Sequence, residues 1–124
     1  MNEIRLKRVE SLIREKVSTL IMMREVKDPR VDASVTITRV KVAKDLASAH
    51  VWVSSFGGDE ATKRAAVGLN SAAGFIQGRI GQEIHMRYTP RLFFSPDNSI
   101  REGIVVNRLI DQIVAGKSDD ENGN

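Results

Sequence analysis

An α+β fold is predicted for this chain, in the order α–β–β–α–α–β–α, with three strands and the helices packed on one face. Three observations predict it. Apolar residues recur at helical steps through the first quarter of the chain. Two β-branched or alternating segments then follow each other between residues 35 and 54. Finally, a helical series interrupted by glycines precedes a short apolar strand and a last capped helix. At 124 residues the chain holds one compact domain and is too short for two. Apolar residues at 41% and charged residues at 28% place it among globular proteins.

Residues 3–26 form the first predicted helix. Val9, Leu12, Ile13, Val17, Leu20 and Ile21 make one apolar stripe, and Lys7 and Arg14, a heptad apart, lie on the outward face. The helix must stop before Lys27-Asp28-Pro29-Arg30, because proline disfavours helical backbone in the residue before it. Val35–Val42 has strand composition but broken alternation. Val35 and Ile37 share parity with Arg39 and Lys41, whereas Val40 and Val42 share it with Thr36 and Thr38. A bulge or a change of burial midway would account for this. After a turn at Lys44-Asp45, the segment Ala49–Ser54 alternates cleanly, so the two strands read as a hairpin.

Gly57-Gly58-Asp59 opens the second helical region, with Gly58 or Asp59 as the cap and acids in the first turn. From Leu69 the series Ala73, Ile76, Ile80, Ile84 keeps a helical period. Yet the stretch contains Gly68, Gly74, Gly78 and Gly81, each costing about 1 kcal/mol relative to alanine. A break near Ala72-Ala73-Gly74 is therefore predicted, leaving helices of about 13 and about 11 residues. Arg91–Ser95, after Pro90, is the third strand. Ser99 and Glu102 form a capping box for a last helix with Val106, Leu109, Ile110 and Ile113 as its stripe, ending near Gly116. The domain thus spans residues 1–116, and Lys117–Asn124, acidic and without apolar residues, is predicted to be disordered.

The chain has no cysteine, which excludes disulfide scaffolds, zinc fingers, iron–sulfur centres and thiol catalysis. No apolar run approaches the roughly 20 residues of a membrane-spanning helix, and no signal-peptide core is present, so a cytoplasmic protein is expected. The net charge is +3. The tail carries one lysine and three acids, so the body holds 18 basic against 13 acidic residues, a net of +5. Such an excess suits an anionic partner without requiring one.

The inventory for catalysis is thin. His50 and His85 stand in no metal-ligand spacing. Asp28 and Asp97 adjoin prolines and read first as turn residues, although a carboxylate pair brought together by the fold would serve acid–base chemistry. Ser54-Ser55 lacks a nucleophile elbow, and no phosphate-binding glycine loop follows a strand. Neither an enzyme nor a cofactor is indicated.

One string points towards RNA. Gly78-Arg79-Ile80-Gly81 matches the Gly-x-x-Gly of K-homology (KH) domains, a turn between helices that lets the nucleic-acid backbone approach. It lacks the Val-Ile-Gly lead-in, however, and lies within one apolar series. Ala72-Ala73-Gly74 is the better candidate. Asp28-Pro29-Arg30, Val35 through Val40, Lys44-Asp45-Leu46 with Ala49, Ala72-Ala73-Gly74-Phe75-Ile76, Arg87 with Pro90, and Phe94 through Ile100 occur in order between about residues 3 and 114. In this ordered set the chain resembles the ribosome-binding factor A family. The resemblance implies a KH-like domain of the second topological type, with Ala-x-Gly in place of Gly-x-x-Gly. It also implies a monomeric bacterial assembly factor that binds the free, maturing 30S subunit, assists late 16S rRNA processing and catalyses nothing. No membrane and no small-molecule substrate enters that role. Gln77 departs from the family, which often has arginine there.

A phosphate-rich target needs several cations, each releasing counterions. Lys7, Arg8 and Arg14 on the first helix, with Lys27 and Arg30 after it, form the first expected cluster. Lys63 and Arg64 with Arg79 form the second, near the Ala72-Ala73-Gly74 break. Trp52 and Phe93 would stack on bases if they occupied an open sheet face, but they suit a core equally well and stay outside the set. Two alternatives stand beside this reading. One is a general KH-type single-stranded RNA binder using Gly78 and Gly81; the other is a small hydrolase using Asp28 and Asp97.

Overall fold

The computed structural model describes residues 3–97. Its elements are α1 (Glu3–Met22), β1 (Val35–Val42), β2 (Ser48–Ser55), α2 (Asp59–Ser71), α3 (Ala73–Glu83) and β3 (Arg91–Pro96). The predicted last helix, with its capping box, and the tail Lys117–Asn124 lie outside the described residues. The sheet has the order β1-β2-β3, antiparallel between β1 and β2 and parallel between β2 and β3. A parallel neighbour requires a crossover, and α2 with α3 supplies it.

The first helix ends at Met22, four residues before its predicted limit. Arg24 takes the left-handed conformation (φ 58°), its amide donates to Ile21 O at 3.0 Å, and the Glu25 amide donates to Leu20 O at 2.9 Å. This pair of bonds is the Schellman closure, usually marked by glycine. Because an arginine occupies the position, the sequence carries no stop signal before Pro29. The buried stripe is otherwise as the periodicity requires: Val9, Ile13, Val17, Leu20 and Ile21.

A register shift between Ile37 and Arg39 in β1 accounts for the broken alternation. The extra residue, Thr38, returns Val40 and Val42 to the same buried face as Val35 and Ile37. With Ala49, Val51 and Val53 of β2 and Leu92 and Phe94 of β3, these residues form the sheet side of the core. Ala65, Ala66 and Leu69 of α2, Ile76 and Ile80 of α3 and the α1 stripe close it from the helical side. The opposite face carries no buried strand residue.

The second helical region is interrupted at one residue. Ala72 (φ −93°, ψ 6°) is at once the C-cap of α2 and the N-cap of α3, and the two helices have 13 and 11 residues. Gly58 caps α2 at φ 98°, a conformation that favours glycine. Thr62, buried beneath it, donates to Gly58 O and accepts from the Ser55 amide, so its hydroxyl is satisfied.

Candidate nucleic-acid interface

The loop after α1 is held against the end of α2. Arg30 clasps Asp28 through two bonds of 2.9 and 2.8 Å, its amide donates to the same carboxylate, and its guanidinium also reaches Ser71 Oγ at 3.3 Å. The guanidinium bonds, then the backbone donor, hold the Asp28 carboxyl at about 2, well below its ordinary 3.8. Gly68 makes this closure possible: a Cβ there would stand 2.9 Å from Asp28 Oδ1 and 3.1 Å from Arg30 Cβ. From the other side of the loop, Glu25 pairs with Arg79 of α3. One loop therefore binds both helices across the Ala72 break.

The sheet edges are sealed by helix side chains. On β1, Glu10 accepts from the Val42 amide at 2.9 Å and Arg14 donates to Thr38 O at 3.2 Å. On β3, Asn70 accepts from the Phe94 amide at 2.8 Å and donates to Phe94 O at 2.9 Å, while Gln77 accepts from the Leu92 amide at 2.9 Å. These five backbone groups are thereby unavailable to a further strand.

These contacts regroup the expected cations. Arg14, Arg30 and Arg79 are engaged in holding the fold, so their donors are not free as the sequence suggested. Arg79 sits with the α1 loop rather than with Lys63 and Arg64. Nor is the first cluster one patch: Lys7 and the end of α1 are about 22 Å apart along the helix at 1.5 Å per residue. Lys63 pairs loosely with Glu60 at 4.0 Å. Lys7, Arg8, Lys27 and Arg64 are exposed, and no ion pair engages them among the described residues. Beside the break, Gly74 has nothing within 4 Å of a would-be Cβ, and Phe75 is exposed. Gly78 and Gly81 lie inside α3, not in a turn between helices, and Gly81 packs on Thr89. Asp28 and Asp97 serve different contacts, Asp28 with Arg30 and Asp97 with the Thr38 hydroxyl.

Apart from Arg79, sequence reasoning missed the cations that lie over aromatic rings. Arginines lie over four aromatic rings: Arg39 over Trp52, Arg79 over Phe75, Arg87 over Tyr88 and Arg91 over Phe93. Lys41 and Lys44 share an open depression with Lys7 and Glu10. Trp52 and Phe93, which suit a core or an open face equally by sequence, occupy the open sheet face. The parity of β2 and β3 carried that signal, but which parity faced the helices depended on α1 and α2.

A family model described as ribosome-binding factor A matches residues 5–110. A ribosome-binding factor A from Treponema denticola is 46% identical over 110 residues, covering 88% of this chain and 83% of the relative. The crystal structure of ribosome-binding factor A from Thermus thermophilus superposes with a TM-score of 0.60 at 24% identity, covering 73% of this chain and 94% of that one, a likeness of fold. A homology model of the Thermus thermophilus factor, fitted into a cryo-EM map of its complex with the 30S subunit, has a TM-score of 0.58 at 25% identity. It covers 73% of this chain and 93% of that one.

Proposed function

The chain belongs to the ribosome-binding factor A family, and on that premise we propose that it acts as an assembly factor on the free, maturing 30S subunit. The observation that carries this is the family match from residue 5 to residue 110, which spans every described element from α1 to β3. The factor binds 16S rRNA in an immature arrangement and shifts the population of subunits towards a form whose ends can be processed. Binding alone does this work, without catalysis, in the cytoplasm where subunits are built.

The fold is KH-like of the second topological type, and the interruption at Ala72-Ala73-Gly74 replaces the Gly-x-x-Gly turn. The parallel β2–β3 pair and the open surroundings of Gly74 support this. An RNA backbone approaches the break at Gly74, and the unengaged cations Lys27, on the loop after α1, and Arg64, on α2, supply further phosphate contacts. Lys7 and Arg8 form a separate contact at the start of α1, and Lys63 adds to the α2 side. Arg14, Arg30 and Arg79 act by holding the strand edge and the loop in place. The general single-stranded RNA reading relies on Gly78 and Gly81, and their position within one helix disfavours it.

Sucrose-gradient fractionation tests the proposal. The protein is expected with free 30S particles and absent from 70S ribosomes, and its depletion is expected to leave 16S rRNA with unprocessed ends. Exclusive recovery in ribosome-free fractions, with normal 16S ends after depletion, would overturn it.

A further inference from the structure

The face of the sheet turned away from the helices lies apart from the Gly74 break and from the loop that closes on it. Its three strands contain Arg39, Lys41, Arg91 and His50 and not one acidic residue. Register aligns them in rows: Lys41 beside His50 beside Phe93, and Arg39 beside Trp52 beside Ser95. Contacts within and between the rows fix these side chains. The His50 and Trp52 rings stack at 3.9 Å with 16° between their planes, Arg39 lies 4.5 Å over the Trp52 ring, and His50 Nε2 is 2.7 Å from Ser95 Oγ.

Phe93 differs from these. It is 46% exposed, with Arg91 5.5 Å over its ring, and it borders an open depression of about 630 Å³ whose other walls include Lys41, Ser48 and His50. Lys41 also lines the depression that holds Lys7 and Lys44 together with Glu3 and Glu10, so the positive excess is concentrated on the strands themselves.

We propose that this face is a second RNA contact, in which one unpaired base stacks on Phe93 against the His50–Trp52 wall while Lys41 and Arg91 meet the flanking phosphates. The occupant is single-stranded RNA because the face joins exposed aromatic surface to positive charge that no ion pair engages among the described residues. A protein segment of ordinary composition would satisfy the first feature and leave the second unpaired. The inference rests on the assembly-factor reading and adds to it a site for an unpaired segment of the same rRNA.

Trp52 is the chain's single tryptophan, so its emission reports on this face directly. The full-length protein is titrated with a mixed-sequence single-stranded RNA 10-mer, with 30S co-sedimentation measured in parallel. Trp52 emission is expected to change on saturation. Phe93→Ala should weaken oligonucleotide binding about tenfold, the scale of one lost stack, and Phe93→Tyr should restore it. Lys41→Glu should weaken it as well. Unchanged Trp52 emission, or wild-type affinity in Phe93→Ala, overturns the inference, and if 30S co-sedimentation persists the assembly reading stands without it. Trp52 emission that changes with protein concentration in the absence of RNA also overturns it, because a second copy then covers the face. Failure of the wild-type chain to bind 30S at all would remove the underlying reading instead.

Discussion

At the scale of single residues, the Asp28-Pro29-Arg30 turn shows how a surface charge is converted into structure. A carboxyl held at about 2 in the fold and near 3.8 without it contributes stability above its unfolded value, and loses that contribution as pH falls through about 2. Acid unfolding of the wild type should therefore include a component between about pH 4 and pH 2 that Asp28→Asn lacks, as followed by circular dichroism. The glycines separate in the same way. Gly68→Ala drives a methyl into the Asp28–Arg30 clasp and should cost about 1–3 kcal/mol in thermal unfolding. Gly74→Ala meets nothing and should leave stability unchanged or raise it by about 0.5 kcal/mol, while weakening 30S binding if RNA approaches there. Composition shows that both positions are glycine, but only the neighbours distinguish a packing glycine from an open one.

At the scale of elements, side chains from helices finish the sheet. Asn70 satisfies both outward backbone groups of Phe94, and Gln77 satisfies the Leu92 amide. Asn70→Ala should cost about 1–3 kcal/mol in chemical denaturation, since it leaves a donor and an acceptor on the edge strand unpaired. Most elements were legible because hydrophobic period is a local property: the bulge in β1, the hairpin and the two-helix interruption all appear in it. The end of α1 was not, because Arg24 closes the helix in a backbone conformation its type seldom adopts. The role of Gln77 was also hidden. Its departure from the family pattern reads as a lost phosphate contact, whereas its partner is a strand amide 15 residues away.

At the scale of the whole molecule, the positive excess is divided between cations that hold the fold and cations that remain open to a partner. Neutralising two of the second kind, Lys27→Gln with Arg64→Gln, should lower the slope of log Kd against log salt for 30S binding by about 2. The double variant should unfold within about 0.5 kcal/mol of the wild type, because both side chains are exposed and outside the described ion pairs. Arg30→Gln, in contrast, should loosen the clasp on Asp28 and lower stability with little specific change in salt slope.

The linear chain determined the α+β class, the order of elements from α1 to β3, the helix interruption and the family, because each is written in residue spacing and in ordered local motifs. Tertiary structure decided which cations are engaged, since Arg14, Arg30 and Arg79 meet partners 24, 41 and 54 positions away. It also decided which strand face stayed open, because alternation specifies two faces and only the packing of helices against one of them distinguishes the core from the surface.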